Sequence, residues 1–252
     1  MDIARNRRDF LVVSSLVGTG FWVGCRKDDT ARAAPSKAAQ ARSAASAEGK
    51  GDQEPEVTAV EDLMREHGVI RRALVVYREA GARLRTNPSA VPVEALLKTA
   101  KLLRSFAEDY HEKQLEEAHI FPALKRAGGP AARDVDTLIA QHQRGREITD
   151  YVITVSGAAI SLARAEPIAR TLEAFTRMYE EHAAKEDTVL FPAWKKTMSE
   201  KQLDEMGERF EEIEHKTFGK DGFDDAVEKI EAIEKAFGLD LAQFTAPPPP
   251  KA

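Results

Sequence analysis

The sequence lacks several features that mark common functional classes. It has a single cysteine in 252 residues, which excludes an intrachain disulfide and a thiolate cage for zinc or an iron–sulfur cluster. It has no excess of basic residues, since the formal net charge is -5 at pH 7, and we therefore expect no nucleic-acid partner. It also contains no nucleotide fingerprint, phosphate-binding loop or nucleophile triad.

Signals for β-strands are missing as well. Glycine and proline cluster at a few breaks, and no run alternates β-branched and polar residues with a period of two. Long segments instead repeat apolar residues at spacings of three and four, which is typical of amphipathic helices. The sequence therefore predicts an all-α fold, with one domain over residues 57–245 and a Pro-rich tail over 246–252.

Residues 1–25 have the pattern of an export signal. Arg7 and Arg8 precede Phe-Leu and an apolar run that is too short to favour a spanning helix, and this pattern resembles a twin-arginine signal. Cys25 ends the run in a sequence that resembles a lipoprotein cleavage box; the alternative is that Cys25 is removed with the signal. We expect an exported protein that is periplasmic or is anchored to a membrane through lipidated Cys25. Residues 26–56 lack an apolar stripe and predict a flexible linker.

Four long amphipathic segments predict an up-down-up-down four-helix bundle followed by two short C-terminal helices. Thr58 followed by Glu61 forms a capping-box pattern at the start of the first helix, and Pro167 suits the first turn of the fourth. The predicted long helices end near residues 84, 126, 163 and 198, and the short helices cover about 200–215 and 223–237.

Each long helix carries one histidine on its apolar face: His67, His111, His142 and His182. A single histidine in such a place is usually a packed core residue. One from each helix can meet at a single level of a bundle. Imidazole and carboxylate groups without thiolates suit iron or manganese, with zinc and copper as alternatives.

Two of these helices share a repeated stretch that ends in Phe-Pro-Ala, and aligning the stretches places Glu116 on Glu186. Two such carboxylates suit two metal ions, because each has two oxygens to share. His182 and Glu186 are four residues apart and share a helix face, whereas His111 and Glu116 are five apart and would diverge on a regular α-helix. We predict a π-bulge between His111 and Glu116; if the helix is regular, Glu112 is the alternative ligand.

At these residues the chain resembles the hemerythrin-like, HHE cation-binding family. The matching pieces are Glu66-His67, Tyr110-His111-Glu112-Lys113 through Glu116 to Phe121-Pro122, Gln141-His142, and His182 through Glu186 to Phe191-Pro192. The resemblance implies a non-haem di-iron centre in the bundle core, in which the four histidines are terminal ligands and Glu116 and Glu186 are bridges. Oxygen-carrying hemerythrins have a second histidine one turn along the third helix, where this chain has Arg146. The difference argues against plain oxygen carriage, and an open position, a water or Glu112 would take the place of that histidine.

Three functions follow as hypotheses. The first is an exported non-haem di-iron protein that binds oxygen, nitric oxide or iron for sensing, scavenging or storage. The second is an oxidase, peroxidase or nitric-oxide-detoxifying enzyme, and the third is a zinc-stabilised interaction module. The expected cofactor is a pair of iron ions, with manganese or zinc as alternatives, and the expected partners are a small diatomic ligand or metal ions. We expect His119 in the core or beside the ligands, and His215 as a helix cap or in solvent.

Overall fold

The computed structural model describes residues 57–250, so the predicted export signal and the linker lie outside the described residues. Within residues 57–250 every regular element is a helix, which confirms the all-α prediction. No helix in this range is long and apolar enough to cross a membrane.

The first helix, α1, spans Ala59–Thr86 and begins at the predicted capping box. The Glu61 backbone N–H donates to the Thr58 hydroxyl, and the Thr58 backbone N–H donates to the Glu61 carboxylate. A 3₁₀ turn, Pro88–Ala90, leads to the second helix. Helix α2 is continuous over three stretches, which are Val93–Leu102, Leu103–Ile120 and Phe121–Ala127.

The break between the third and fourth helices comes earlier in the chain than predicted. After a single turn at Gly129–Ala132, α3 covers Val135–Val155 and ends before residue 163. Helix α4 begins at Leu162, because Ser161 has the extended backbone of an N-cap residue. Pro167 therefore lies inside α4, and its interpretation as part of the first turn was wrong by about one turn. Helix α4 runs through Leu162–Lys185, Glu186–Leu190 and Phe191–Lys195.

Two shorter helices follow, as predicted, with α5 at Glu200–Phe218 and α6 at Gly222–Phe237. A 3₁₀ turn at Leu241–Phe244 precedes the exposed, non-helical residues 245–250. Helix α6 packs against α1 and α2, and α5 packs against α1 and the middle of α2. The four long helices contact one another in a closed ring, α1 to α2, α2 to α3, α3 to α4 and α4 to α1. The core lies inside this ring.

The predicted π-bulge is confirmed, and it is part of a longer stretch with π-type hydrogen bonds over Leu103–Ile120. A second π stretch at Glu186–Leu190 was not predicted. In both helices the N–H of the phenylalanine before proline donates to a carbonyl five residues back, from Phe121 to Glu116 and from Phe191 to Glu186. The following proline would clash with the carbonyl four residues before it in a regular helix. A wider turn relieves that clash and lets both helices continue past their prolines.

Candidate metal centre

The structure brings all six predicted ligands together in the core between the four long helices. Each side chain is at most 4% exposed. The six residues are His67 on α1, His111 and Glu116 on α2, His142 on α3, and His182 and Glu186 on α4. Burying so many polar groups is unfavourable unless each finds a partner.

The four imidazoles form two pairs, and the two rings of each pair face each other through their Nε2 atoms. The Nε2 atoms of His67 and His111 are 3.1 Å apart. The Nε2 atoms of His142 and His182 are 3.0 Å apart. One side of each pair is closed by a phenylalanine that precedes a proline, since the rings of Phe191 and His67 stack at 5.4 Å and those of Phe121 and His142 at 5.5 Å.

The two carboxylates link the imidazole pairs. Glu116 Oε1 lies 3.4 Å from His111 Nε2, and its Oε2 lies 3.3 Å from His142 Nε2. Glu186 Oε2 lies 3.5 Å from His67 Nε2 and 3.1 Å from His182 Nε2. Each carboxylate therefore reaches one imidazole from each pair.

The wide π turn explains how Glu116 reaches this position. With i→i+5 hydrogen bonds, five residues bring a side chain back close to the starting face of the helix. His111 and Glu116 thus point into the same space, as His182 and Glu186 do across four residues.

These residues fit a bound cation. Among residues 57–250, no donor makes a well-directed hydrogen bond to either oxygen of Glu116 or of Glu186, although all four oxygens are buried. Unpartnered buried carboxylate oxygens destabilise a fold strongly. The Nε2 lone pairs and these oxygens are ligands for transition metals such as iron, manganese and zinc.

The Nδ1 atom of every imidazole is hydrogen-bonded to a polar side chain just outside the centre. His67 donates to Asp187 at 2.7 Å, His111 to Glu66 at 2.6 Å, His142 to Glu117 at 2.9 Å and His182 to Gln141 at 2.8 Å. A proton on Nδ1 leaves the Nε2 lone pair free for a metal ion, and such partners also fix the ring orientation.

The sequence prediction missed the roles of these four partners, although the chain contains a signal for them. Glu66 and Gln141 directly precede the histidines of α1 and α3. Glu117 and Asp187 directly follow the two buried carboxylates and align with each other in the repeated stretch. Polar residues adjacent to a ligand on a buried helix face are candidates for this role.

Glu112, the alternative ligand, is held by two other residues. The Tyr179 hydroxyl donates to Glu112 Oε1 at 2.7 Å, and Arg146 Nη2 donates to Oε2 at 3.2 Å. Because α2 is not regular at this point, Glu112 is not needed in place of Glu116. Glu112, Glu117 and His142 nevertheless offer ligand atoms within 4.8 Å of one another. Arg146 also donates to Glu117 at 2.6 Å, so its guanidinium bonds to the carboxylates beside the centre.

The pKa values of the buried ligands show that their charges are not balanced by protein groups alone. Burial raises the pKa of the Glu186 carboxyl well above its usual range, and the Glu116 carboxylate raises it further. Burial also acts on Glu116, but His111 and His142 hold its pKa well below the usual range. Burial and the charge of His142 lower the pKa of His182 to about 4. Two carboxylates this close are not stably ionised together without positive charge between them, which is the role a cation performs.

The remaining candidates lie away from the centre. The His119 ring lies 5.7 Å from the Phe210 ring of α5. His119 is half-buried there, so it lies outside the core between the four long helices in which it was expected. His215 is exposed near the end of α5, as expected, and its carbonyl accepts the N–H of Gly219. The Tyr110 hydroxyl donates to Glu66 at 2.9 Å, so Tyr110 and Tyr179 both donate to carboxylates around the centre.

Comparison with known proteins agrees with this geometry. A family model described as the hemerythrin HHE cation binding domain matches residues 58–194, which is more than half of the chain. An uncharacterized protein of Mycobacterium bovis and uncharacterized proteins of two Mycobacterium tuberculosis strains are each 46% identical over 198 residues, covering 77% of this chain and 76% of the relative. No solved structure matches significantly. The buried His/Glu cluster and the family match together show that the chain belongs to the hemerythrin HHE cation-binding family and carries a metal-binding site.

Proposed function

We propose that this protein is an exported non-haem di-iron protein that binds iron, oxygen or nitric oxide for sensing, scavenging or storage. One observation carries the proposal. Two pairs of imidazoles are linked by two carboxylates, and no group donates a well-directed hydrogen bond to the oxygens of these carboxylates. One ion would be held by His67 and His111 and the other by His142 and His182. Glu116 and Glu186 would be shared between the ions, because each contacts both pairs.

Iron is favoured over zinc by the composition of this ligand set and by the family. Two imidazoles with shared carboxylates and no thiolate suit iron or manganese. Bound iron supplies redox chemistry and coordination positions for small neutral ligands. The chain's own residues orient the imidazoles, hold protons at the four Nδ1 atoms and exclude bulk water, since the six ligands are buried.

The proposal includes an up-down-up-down arrangement of α1 to α4. It is supported by the closed ring of contacts among these helices and by the short segments that connect them. Short connections favour antiparallel neighbours. The meeting of one histidine from each helix at one level also requires that the four helices lie side by side.

Export and anchoring rest on the sequence pattern of residues 1–25, with residues 26–56 as a linker and Cys25 as the lipidation candidate. Twin-arginine export implies that the metal is loaded before export. Replacing Arg7 and Arg8 by lysine should retain the protein in the cytoplasm. Normal export of that double variant would refute the twin-arginine assignment.

The main test is the metal content of protein purified after export, followed by spectra with and without oxygen. We expect about two iron ions per chain and a charge-transfer absorption that changes on addition of oxygen or nitric oxide without turnover. The variants His67→Ala and His182→Ala should lose metal, whereas His215→Ala should retain it because His215 is exposed on α5.

Other results of the same test would favour the other functions. Catalytic consumption of peroxide, oxygen or nitric oxide with a reductant would identify an enzyme. Stoichiometric zinc and no visible absorption would identify a zinc-stabilised module.

A further inference from the structure

The two halves of the centre differ at one pair of equivalent positions. Glu66 precedes His67 on α1 and accepts the Nδ1 hydrogen of His111 on α2 at 2.6 Å. Gln141 precedes His142 on α3 and accepts the Nδ1 hydrogen of His182 on α4 at 2.8 Å. The geometry is the same, but the acceptor is a carboxylate in one half and a neutral amide in the other.

The outer contacts of His67 and His142 are matched between the halves. His67 and His142 both donate Nδ1 hydrogens to carboxylates, Asp187 and Glu117. Each of these carboxylates is in turn paired with an arginine four residues after the histidine, Arg71 with Asp187 and Arg146 with Glu117. Three imidazoles therefore donate to a carboxylate and one, His182, donates to an amide.

The difference bears directly on metal affinity. A carboxylate on Nδ1 draws the ring proton toward itself and raises the electron density at Nε2, which makes the imidazole a stronger ligand. An amide oxygen does this less, because it has no net charge. His111 is thus the stronger metal ligand and His182 the weaker one.

We propose, resting on the di-iron function above, that the two metal positions are unequal: the His67–His111 position binds its ion tightly and fills first, and the His142–His182 position exchanges its ion readily. Glu66 and Gln141 are the positioning residues that set this order. The labile position would make one of the two ions available for release or exchange while the other keeps the centre assembled.

Total charge does not explain such an inequality. Near the His67–His111 pair the carboxylates Glu66 and Asp187 face Arg71. Near the other pair, Glu112 and Glu117 face Arg146. The formal charges of these residues match, so they do not set the order of filling proposed here. Glu112 is 3.9 Å from His142 Nδ1 and makes no hydrogen bond to an imidazole.

The test measures iron release from the full chain loaded anaerobically with ferrous iron and mixed with a coloured ferrous chelator. We expect two ions per chain that leave in two phases with rates differing about tenfold or more. Gln141→Glu should slow the fast phase by roughly tenfold, and Glu66→Gln should accelerate the slow phase by a similar factor, since changes in such partners alter affinity about 10–100-fold.

Two controls separate the hydrogen bond from other effects. Glu112→Gln removes a nearby charge without removing a hydrogen bond to an imidazole. It should change either release rate less than Gln141→Glu and Glu66→Gln do. Tyr110→Phe removes another donor to Glu66 and tests whether disturbing Glu66 without removing its charge changes the slow phase. A general loss of structure would accelerate both phases, so slower release from Gln141→Glu is a result that structural damage cannot produce.

The outcomes distinguish this inference from the function on which it rests. The inference would be overturned if the two ions left in a single phase, or if neither Gln141→Glu nor Glu66→Gln altered the two phases. Either result would leave the di-iron proposal standing. A chain that binds a single ion would overturn both.

Discussion

Replacing Gly145 with alanine is expected to destabilise the protein through Tyr179. A Cβ atom at position 145 would lie 2.0 Å from the Tyr179 hydroxyl oxygen and 2.8 Å from Cζ. The ring of Tyr179 is packed 4.5 Å from that of Phe175, so it moves only at the expense of its neighbours. Overpacking of this kind costs about 1–3 kcal/mol. Loss of the phenol hydrogen bond from buried Glu112 adds about 1–3 kcal/mol.

The gain in helix propensity offsets part of this loss, by up to about 1 kcal/mol for a glycine inside a helix. We therefore expect Gly145→Ala to lower the free energy of unfolding by about 1–6 kcal/mol. Urea unfolding of the metal-free protein, followed by circular dichroism, measures this quantity directly. The matched control is Gly68→Ala in α1, where an added Cβ would have no neighbour within 4 Å. That variant should be as stable as the parent or slightly more stable.

A double-variant cycle tests the cause. Tyr179→Phe removes the atom that makes the closest contact, so Gly145→Ala should cost less in that background than in the parent. Equal costs in both backgrounds, or a Gly145→Ala variant as stable as Gly68→Ala, would refute the role assigned to the phenol.

Three further changes should have measurable effects. Burial raises the pKa of the Glu108 carboxyl from 4.5 to about 7, so the contribution of Glu108 to stability is fully present below pH 4.5 and falls by about 3 kcal/mol between pH 4.5 and 7; pH-dependent urea unfolding should show this fall weakened in Glu108→Gln. Iron at about a thousandfold its Kd would stabilise the fold by about 4 kcal/mol. Removing the metal with a chelator should therefore lower the melting temperature by about 8–16 °C. An unchanged melting curve would contradict binding at the buried centre. Phe210→Ala should cost about 3–5 kcal/mol in urea unfolding, because Phe210 stacks on buried Trp194 at 5.8 Å; iron content should stay the same, and a loss of iron would show that α5 supports the centre.

Much of the fold and the ligand cluster could be predicted because their signals are local. The spacing of apolar residues marked six helices, and a histidine on each long apolar face marked the level at which four of them meet. The five-residue gap between His111 and Glu116 predicted an irregular turn there, and the structure has one. The π stretch at Glu186 escaped prediction because His182 and Glu186 are already in register on a regular helix. Its cause lies after the ligands, in Pro192, whose ring favours a wider turn before it.

The outer partners of the imidazoles could not be assigned from periodicity, because their roles depend on which helices are neighbours. Glu117 and Asp187 occupy aligned positions in the repeat, yet one accepts from α3 and the other from α1. The bonds of Arg146 were equally inaccessible, since a long side chain on a helix face can point to solvent or fold back. Its two bonds to Glu112 and Glu117 depend on the packing of α2 against α3.

The four Nδ1 hydrogen bonds together connect the helices in a closed cycle. Residues that precede a histidine join α1 to α2 and α3 to α4, and residues that follow a shared carboxylate join α2 to α3 and α4 to α1. Each imidazole is thus oriented by a different helix from the one that carries it. Turning one ring outward would break a hydrogen bond to a side chain of a neighbouring helix, at a cost of about 1.5–3 kcal/mol where the acceptor is a carboxylate. The cycle therefore keeps all four Nε2 lone pairs directed inward, and it explains how four isolated histidines on separate helices form one centre for a cation.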